Sequence, residues 1–237
     1  MVSPLPLPVM DLGSAQYGPV QELQRRLCAA VATGACAGVL LLLEHEPVIT
    51  LGSRGQAAHV LLPDTARARG VAVERSERGG AATLHAPGQL VSYPIIPLPG
   101  HDLRGYVWRL EEVLRLMLLD LGVRALRSPG RPGLYVEGRK IASLGLRCRR
   151  WVTSHGTALN LNVDLTLFDL IVSCAEPDLR QTSVAELTGR APSMKEAKER
   201  YRRHFASVFG MALGAIQVPA AGFEPATPGS GGQCSIP

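Results

Sequence analysis

The run Val39-Leu40-Leu41-Leu42-Leu43 restricts the fold more than any other segment, because no polar position interrupts it. A strand built from it has no face for water and belongs inside a sheet. With Gly38 it is the longest apolar stretch, far short of the roughly 20 residues that cross a bilayer. The start, MVSPLPLPVMDLG, has no basic segment followed by a long apolar core, so the expectation is a soluble cytoplasmic protein without a membrane partner.

Helices and further strands alternate around that run. Residues 17–33 place Val20, Leu23, Leu27 and Val31 at helical spacing, and Gly34 stops the pattern. The clearest helix is 103–121, with Val107, Leu110, Leu114, Met117, Leu118 and Leu121 in one stripe, Asp102 as N-cap and Gly122 as stop. Such a stripe covers a sheet. Residues 165–171 read as a short helical turn and 194–209 as a basic amphipathic helix.

Strand patterns recur at 48–51, 71–76, 89–96 and 155–163, and at 133–136 joined through Glu137-Gly138 to 140–148 as a hairpin. Mixed strands and helices predict an α/β (α+β) domain, and 237 residues suit one domain spanning 1–218. The stretch 219–237, rich in Gly, Pro and Ser, is expected to be a tail without packed structure.

At 46% apolar and 19% charged, the chain is able to bury a core and is not a disordered segment. The net charge of +5 favours acidic partners. Of the 25 basic residues only Lys140, Lys195 and Lys198 are lysines. The five cysteines, Cys28, Cys36, Cys148, Cys174 and Cys234, are odd in number and lack CxxC spacing, which argues against a disulfide framework or zinc site and for reduced thiols. Neither HExxH nor DxDxDG occurs, so no metal is expected, and the absence of GxxxxGK[ST] excludes a phosphate P-loop.

Three places have chemistry to offer. Arg78-Gly79-Gly80-Ala81-Ala82-Thr83-Leu84-His85-Ala86-Pro87-Gly88-Gln89 combines small residues with one cation and one imidazole. It reads either as a loop that cradles a ligand, Arg78 binding an anion or carbonyl oxygen and His85 donating a hydrogen bond, or as a glycine turn around a satisfied histidine. Lys140 opens an apolar strand: either an amine tuned by burial to act as cation or base, or an edge lysine that discourages aggregation. Cys174 leaves a short apolar segment into a loop: either a nucleophile, which needs a nearby cation or base, or a small buried hydrophobe. His155-Gly156-Thr157-Ala158 offers a second small-residue wall, and Arg147, Arg149 and Arg150 beside Trp151 a basic docking patch.

Taken together, His45-Glu46-Pro47-Val48 with Thr50-Leu51-Gly52, RGGAATLHAPGQLVSYPI from 78, RKIASLGLRCRRWVTSHGTALNLNVDL from 139, and FDLIVSCAE followed by Thr182-Ser183-Val184 resemble the lipoyl(octanoyl)transferase family of the biotin/lipoate A/B protein ligase superfamily. The resemblance spans about 39–187. It implies a mixed, mostly antiparallel sheet with flanking helices, and an acyltransferase that moves an octanoyl group from acyl carrier protein to a lysine of lipoyl domains. Those domains are the ones of 2-oxoacid dehydrogenase E2 subunits and the glycine cleavage H protein. The nucleophile would be Cys174, paired with Lys140, and the acyl-binding segments would be Arg78 to His85, Ser143-Leu144-Gly145 and Gly156-Thr157-Ala158. The resemblance further implies a monomer that needs no ATP, metal or nucleic acid.

The chain departs from the family at Leu84, where Tyr is usual, at Ala86, where Gly is usual, and at Ser173 and Ala175, where Pro and Gly are usual. The first two bear on acyl preference and the others on loop stiffness. Backbone N–H groups around Gly145 and Gly156 are candidates for holding the oxyanion. The competing readings are an ATP-dependent lipoate–protein ligase, which would not need Cys174, and a non-catalytic carrier- or nucleic-acid-binding module using Arg147 to Arg150.

Overall fold

The computed structural model describes residues 6–218, so the expected tail at 219–237 lies outside the described residues. In chain order the elements are β1 (Leu7–Ala15), α1 (Tyr17–Ala32), β2 (Val39–His45), β3 (Val48–Leu51), α2 (Pro63–Ala68), β4 (Ala72–Arg75), β5 (Ala82–His85), β6 (Gln89–Ile95), α3 (Leu103–Asp120), β7 (Leu126–Ser128), β8 (Arg131–Val136), β9 (Arg139–Arg149), β10 (Val152–Asn160), α4 (Val184–Thr188), α5 (Met194–Phe209) and β11 (Leu213–Gln217).

The large sheet has the order β11-β1-β2-β6-β10-β9-β8-β7. Only β11–β1 and β1–β2 are parallel, so the expectation of a mixed, mostly antiparallel sheet holds. A second sheet, β4-β3-β5, stands beside it. The apolar run occupies β2, inside the large sheet, and its side chains divide between the two faces as the strand period of two requires. Leu40 and Leu42 pack under α3 and α5 with Leu110, Leu114, Tyr201 and Phe205. Val39, Leu41 and Leu43 pack on the other face under α1 with Val20, Leu23 and Leu27. No helix among the described residues is long and apolar enough to cross a membrane.

Local signals place the helix ends. Asp102 accepts from the Gly105 N–H at the start of α3, and Ser193 and Glu196 form a capping box on α5, which ends at Gly210 with φ +63°. Lys198 does not lie on the solvated side of α5; it is buried against Asp11, 2.5 Å away.

Several elements were not visible in the sequence pattern. β1 contains Pro8 and Gly13, which break any periodicity, and it forms by parallel pairing with β2 and with β11 from the far end of the chain. β10 starts at Val152 and all nine of its residues are buried, so the alternation at 155–163 does not mark a wet face. Its polar side chains find partners inside: Thr157 and Ser92 hydroxyls lie 2.7 Å apart, and Asn160 donates to the Thr182 carbonyl. Cys28, Cys148 and Cys174 are free, whereas Cys36 is disulfide-bonded, a departure from the expectation of thiols throughout.

Candidate active site

Lys140 lies near the start of β9, where its backbone N–H donates to the Arg180 carbonyl and its carbonyl accepts from the Thr182 N–H. The loop leaving Cys174 is thereby pinned against the strand carrying Lys140. Cys174 itself donates its N–H to the Ala82 carbonyl of β5. These ties bring together two residues 34 positions apart: Lys140 Nζ reaches Cys174 Sγ at 3.2 Å. Lys140 is only 3% exposed, so it is not an edge lysine in solvent.

The lysine side chain needs space. A Cβ at Gly133 of β8 would sit 2.7 Å from Lys140 Cε, so only glycine leaves the amine its path. The ring of Tyr135 lies under Lys140 Nζ at 5.4 Å and under the Arg131 guanidinium at 4.9 Å. Both Cys174 (φ +57°) and Ala175 (φ +60°) hold left-handed backbone, which costs a residue with a Cβ about 1–2 kcal/mol. The family's usual glycine at 175 would carry no such strain.

Cys174 and Lys140 open into a cavity of about 290 Å³. Its walls include Arg78, Gly79, Gly80, Ala81, Thr83 and His85 on one side, and Ser143, Leu144, Gly145, Gly156, Thr157 and Ala158 on the other. Gly145 and Gly156 face each other in the β9–β10 ladder. The expected cradle is not one loop, however. Its middle forms β5, so its side chains alternate: Thr83 and His85 face the cavity, while Ala82, Leu84 and Ala86 pack into the core of the small sheet with Ile49 and Phe168. Ala82 and Leu84 are therefore corrected from cavity residues to core residues, and the departures at 84 and 86 both lie in that core.

Arg78 is buried, and its guanidinium already binds carbonyl oxygens of its own chain. Nη2 donates to the Thr50 carbonyl at 2.6 Å and the Ala81 carbonyl at 2.9 Å, Nη1 to the Gly79 carbonyl at 3.0 Å, and Nε to Thr50 Oγ1 at 3.1 Å. A Cβ at Gly145 would meet Arg78 Cδ at 2.9 Å, so the glycine admits the arginine. Arg78 is thus a strut between loop and sheet, with four of its five N–H groups directed at oxygens of the protein itself.

The buried histidines are neutral. Burial pushes the pKa of His45 down to about 4 and that of His85 to about 3, the latter helped by the neighbouring His45. His85 Nδ1 lies 2.9 Å from Gln89 Oε1, so it donates there. His45 donates Nδ1–H to the Ala15 carbonyl and accepts at Nε2 from the Tyr93 hydroxyl at 2.8 Å. His155, with left-handed φ of +54°, is likewise pushed down to about 3 by burial and then by Arg78.

The structure also places Arg54, Arg131, Tyr135 and Glu176 on the cavity walls, none of which the sequence reading singled out. Arg131 and Tyr135 sat in a hairpin judged only by its strand pattern, and Glu176 in a loop where only the thiol drew notice. Arg147, Arg149 and Arg150 lie at the opposite end of β9 from Lys140, lining a separate cavity of about 330 Å³. Arg147 pairs with Glu77 there, and Trp151 stacks on His101 at 4.0 Å.

The lipoyl protein ligase A/B catalytic domain family matches residues 16–206. The chain belongs to that family. It is 43% identical over 206 residues to an octanoyltransferase of Nitratidesulfovibrio vulgaris strain Miyazaki F, covering 85% of this chain and 94% of the relative. It is 44% identical over 199 residues to an octanoyltransferase of Geotalea uraniireducens, covering 83% and 90%. Among solved structures it is similar in fold to a lipoate-protein ligase A bound with ATP, with a TM-score of 0.74 at 16% identity over 92% of this chain and 90% of that one. The family's fold is therefore the one described above.

Proposed function

We infer that this protein is an octanoyltransferase that carries the acyl group on Cys174 between an acyl carrier protein and a lysine of a lipoyl domain. The observation that carries the mechanism is the 3.2 Å contact of Lys140 Nζ with Cys174 Sγ at the mouth of the cavity. Membership in a family whose relatives, more than 40% identical, are octanoyltransferases supports the substrate class.

In the first half-reaction the Cys174 thiolate attacks the carrier thioester. A C–S bond forms to Cys174, the carrier C–S bond breaks, and the carrier thiol takes the proton that Cys174 gave up. Lys140 as an ammonium favours the thiolate at the moment of attack. In the second half-reaction the acceptor amine attacks the acyl-enzyme; a C–N bond forms and Sγ leaves. Thioester exchange is nearly balanced and amide formation from a thioester is downhill, so the activated donor suffices and no ATP or metal takes part. The net charge of +5 suits acidic carrier and acceptor proteins, and the reaction is placed in the cytoplasm.

The test is to incubate the purified protein with octanoyl-acyl carrier protein, without ATP or acceptor, and to read its intact mass beside that of Cys174→Ala. The expected result is a hydroxylamine-labile octanoyl adduct on the wild type only. Failure to form one on folded protein that binds the carrier would discard the thioester route in favour of the ATP-dependent ligase.

A further inference from the structure

Among the described residues, the walls of the acyl cavity carry four cationic side chains, Arg54, Arg78, Arg131 and Lys140, and a single carboxylate, Glu176. That imbalance matters for the second half-reaction. A lysine amine reaches the enzyme as an ammonium at neutral pH, and a cation entering a mouth lined by cations is opposed unless an anion receives it. Glu176 is two residues beyond Cys174, and its backbone N–H donates to the Ser173 carbonyl at 2.9 Å, which fixes it to the nucleophile loop. Its side chain is 37% exposed, so a partner arriving from solvent is able to reach it.

At rest that carboxylate is ion-paired with Arg131. Arg131 does not depend on the pair for its place, since its guanidinium also lies over the Tyr135 ring, 4.9 Å from the centroid. The pair is therefore exchangeable: Arg131 stays on its aromatic ring when Glu176 turns to another cation. Ion pairs this open to water are weak, because solvent screens them, so exchange is cheap.

We propose that Glu176 is the docking carboxylate for the acceptor's lysyl ammonium, exchanging Arg131 for it and holding the nitrogen beside the acyl group on Cys174. The proposal rests on the acyl-enzyme reading above and names how the acceptor enters that same site. The ammonium gives one proton to solvent water past Glu176 and becomes the nucleophile. Its lone pair forms the C–N bond, the C–S bond breaks with its electron pair returning to Sγ, and the second nitrogen proton passes by way of Lys140 to Sγ. Acyl-enzyme and ammonium thus yield amide, thiol and one proton.

The experiment separates the half-reactions in Glu176→Gln, Glu176→Asp and Arg131→Met. Acyl-enzyme formation is read by intact mass, and discharge of the isolated acyl-enzyme is followed with a lipoyl domain and, separately, with hydroxylamine, a neutral nucleophile. Glu176→Gln is expected to form the acyl-enzyme at the wild-type rate and to discharge to hydroxylamine as the wild type does. Its transfer to the lipoyl-domain lysine is expected to fall by about five- to tenfold, mainly through a raised KM for the acceptor. Glu176→Asp restores most of that loss, and Arg131→Met, which frees the carboxylate, lowers the acceptor KM by about two- to threefold. Unchanged transfer in Glu176→Gln overturns the proposal. So does a parallel fall in acyl-enzyme formation and hydroxylamine discharge, which would mark a purely structural loop residue, or an equal loss in Arg131→Met, which would make the ion pair itself the requirement. Absence of any acyl-enzyme on the wild type would instead overturn the underlying thioester mechanism.

Discussion

The two sides of the cavity are built on opposite terms. On the side of residues 78–85 nearly every polar group is committed to a fixed neighbour: Arg78 to Thr50, Gly79 and Ala81, His85 to Gln89, and His45 behind it to Ala15 and Tyr93. On the other side Lys140, Cys174, Arg131 and Glu176 pair across different elements, and the last two are partly open to solvent. Both sides hold cations, yet only Lys140 has a reacting atom as its hydrogen-bond partner. Charge alone does not make a catalytic group; what matters is whether its donors are already engaged.

If that contrast is right, the two cations fail differently. Lys140→Met is expected to cut acyl-enzyme formation by about 100-fold or more, as loss of an acid–base or charge-stabilising group does, with little change in melting temperature. Stopped-flow or quenched intact mass measures the first and calorimetry the second. A variant that melts early but keeps its rate would reverse the assignment. Arg78→Met should do the opposite. It removes the guanidinium's hydrogen bonds to the Thr50, Gly79 and Ala81 carbonyls, at a cost of about 3 kcal/mol, or a melting temperature lower by about 6–12 °C for a domain of this size.

The neutral histidines also set an acid limit. His45, His85 and His155 have pKa values of about 4, about 3 and about 3 in the fold, against about 6.5 unfolded. Because the unfolded chain binds more protons, each histidine contributes stability that is complete above about pH 6.5 and declines as pH falls towards its folded value, by up to about 1.4 kcal/mol per pH unit. Urea midpoints between pH 7 and pH 4.5 should fall accordingly, and a flat profile over that range would remove the histidines from the account. The smallest effect belongs to the nucleophile loop. Ala175→Gly relieves the left-handed strain at φ +60° and is expected to stabilise by about 0.5–1 kcal/mol, the strain relieved less the entropy glycine adds to the unfolded chain. A loss of stability there would mean that the loop relaxes in solution.

Much of this was legible from the residues. The period of α3, with Asp102 and Gly122 at its ends, and the double-sided burial of Val39 to Leu43 follow from side-chain pattern, because helix and strand periods are local properties. The glycine-rich segment, Lys140 and Cys174 stood out by residue type. What pattern did not supply was the side each residue faces. Leu84 and His85 are neighbours in one small-residue segment, but β5 sends one into the core and the other to the cavity, and that phase is set by pairing with β3. Arg131, Tyr135 and Glu176 carried no signal of their own, since an arginine and a tyrosine in a hairpin and a glutamate in a loop are ordinary surface residues until another element meets them.

The sequence by itself determined the long helices, the buried strand and the presence of a thiol, an amine and a glycine-rich wall in one chain, since these depend on residue type and short spacing. Tertiary structure alone decided that residues 140 and 174 meet at 3.2 Å, that Arg78 is a strut and that Glu176 is, among the described residues, the only acid on the cavity wall. Closing a separation of 34 residues depends on the backbone bonds from Lys140 to residues 180 and 182 and from Cys174 to Ala82, and those bonds exist only once the sheets are assembled.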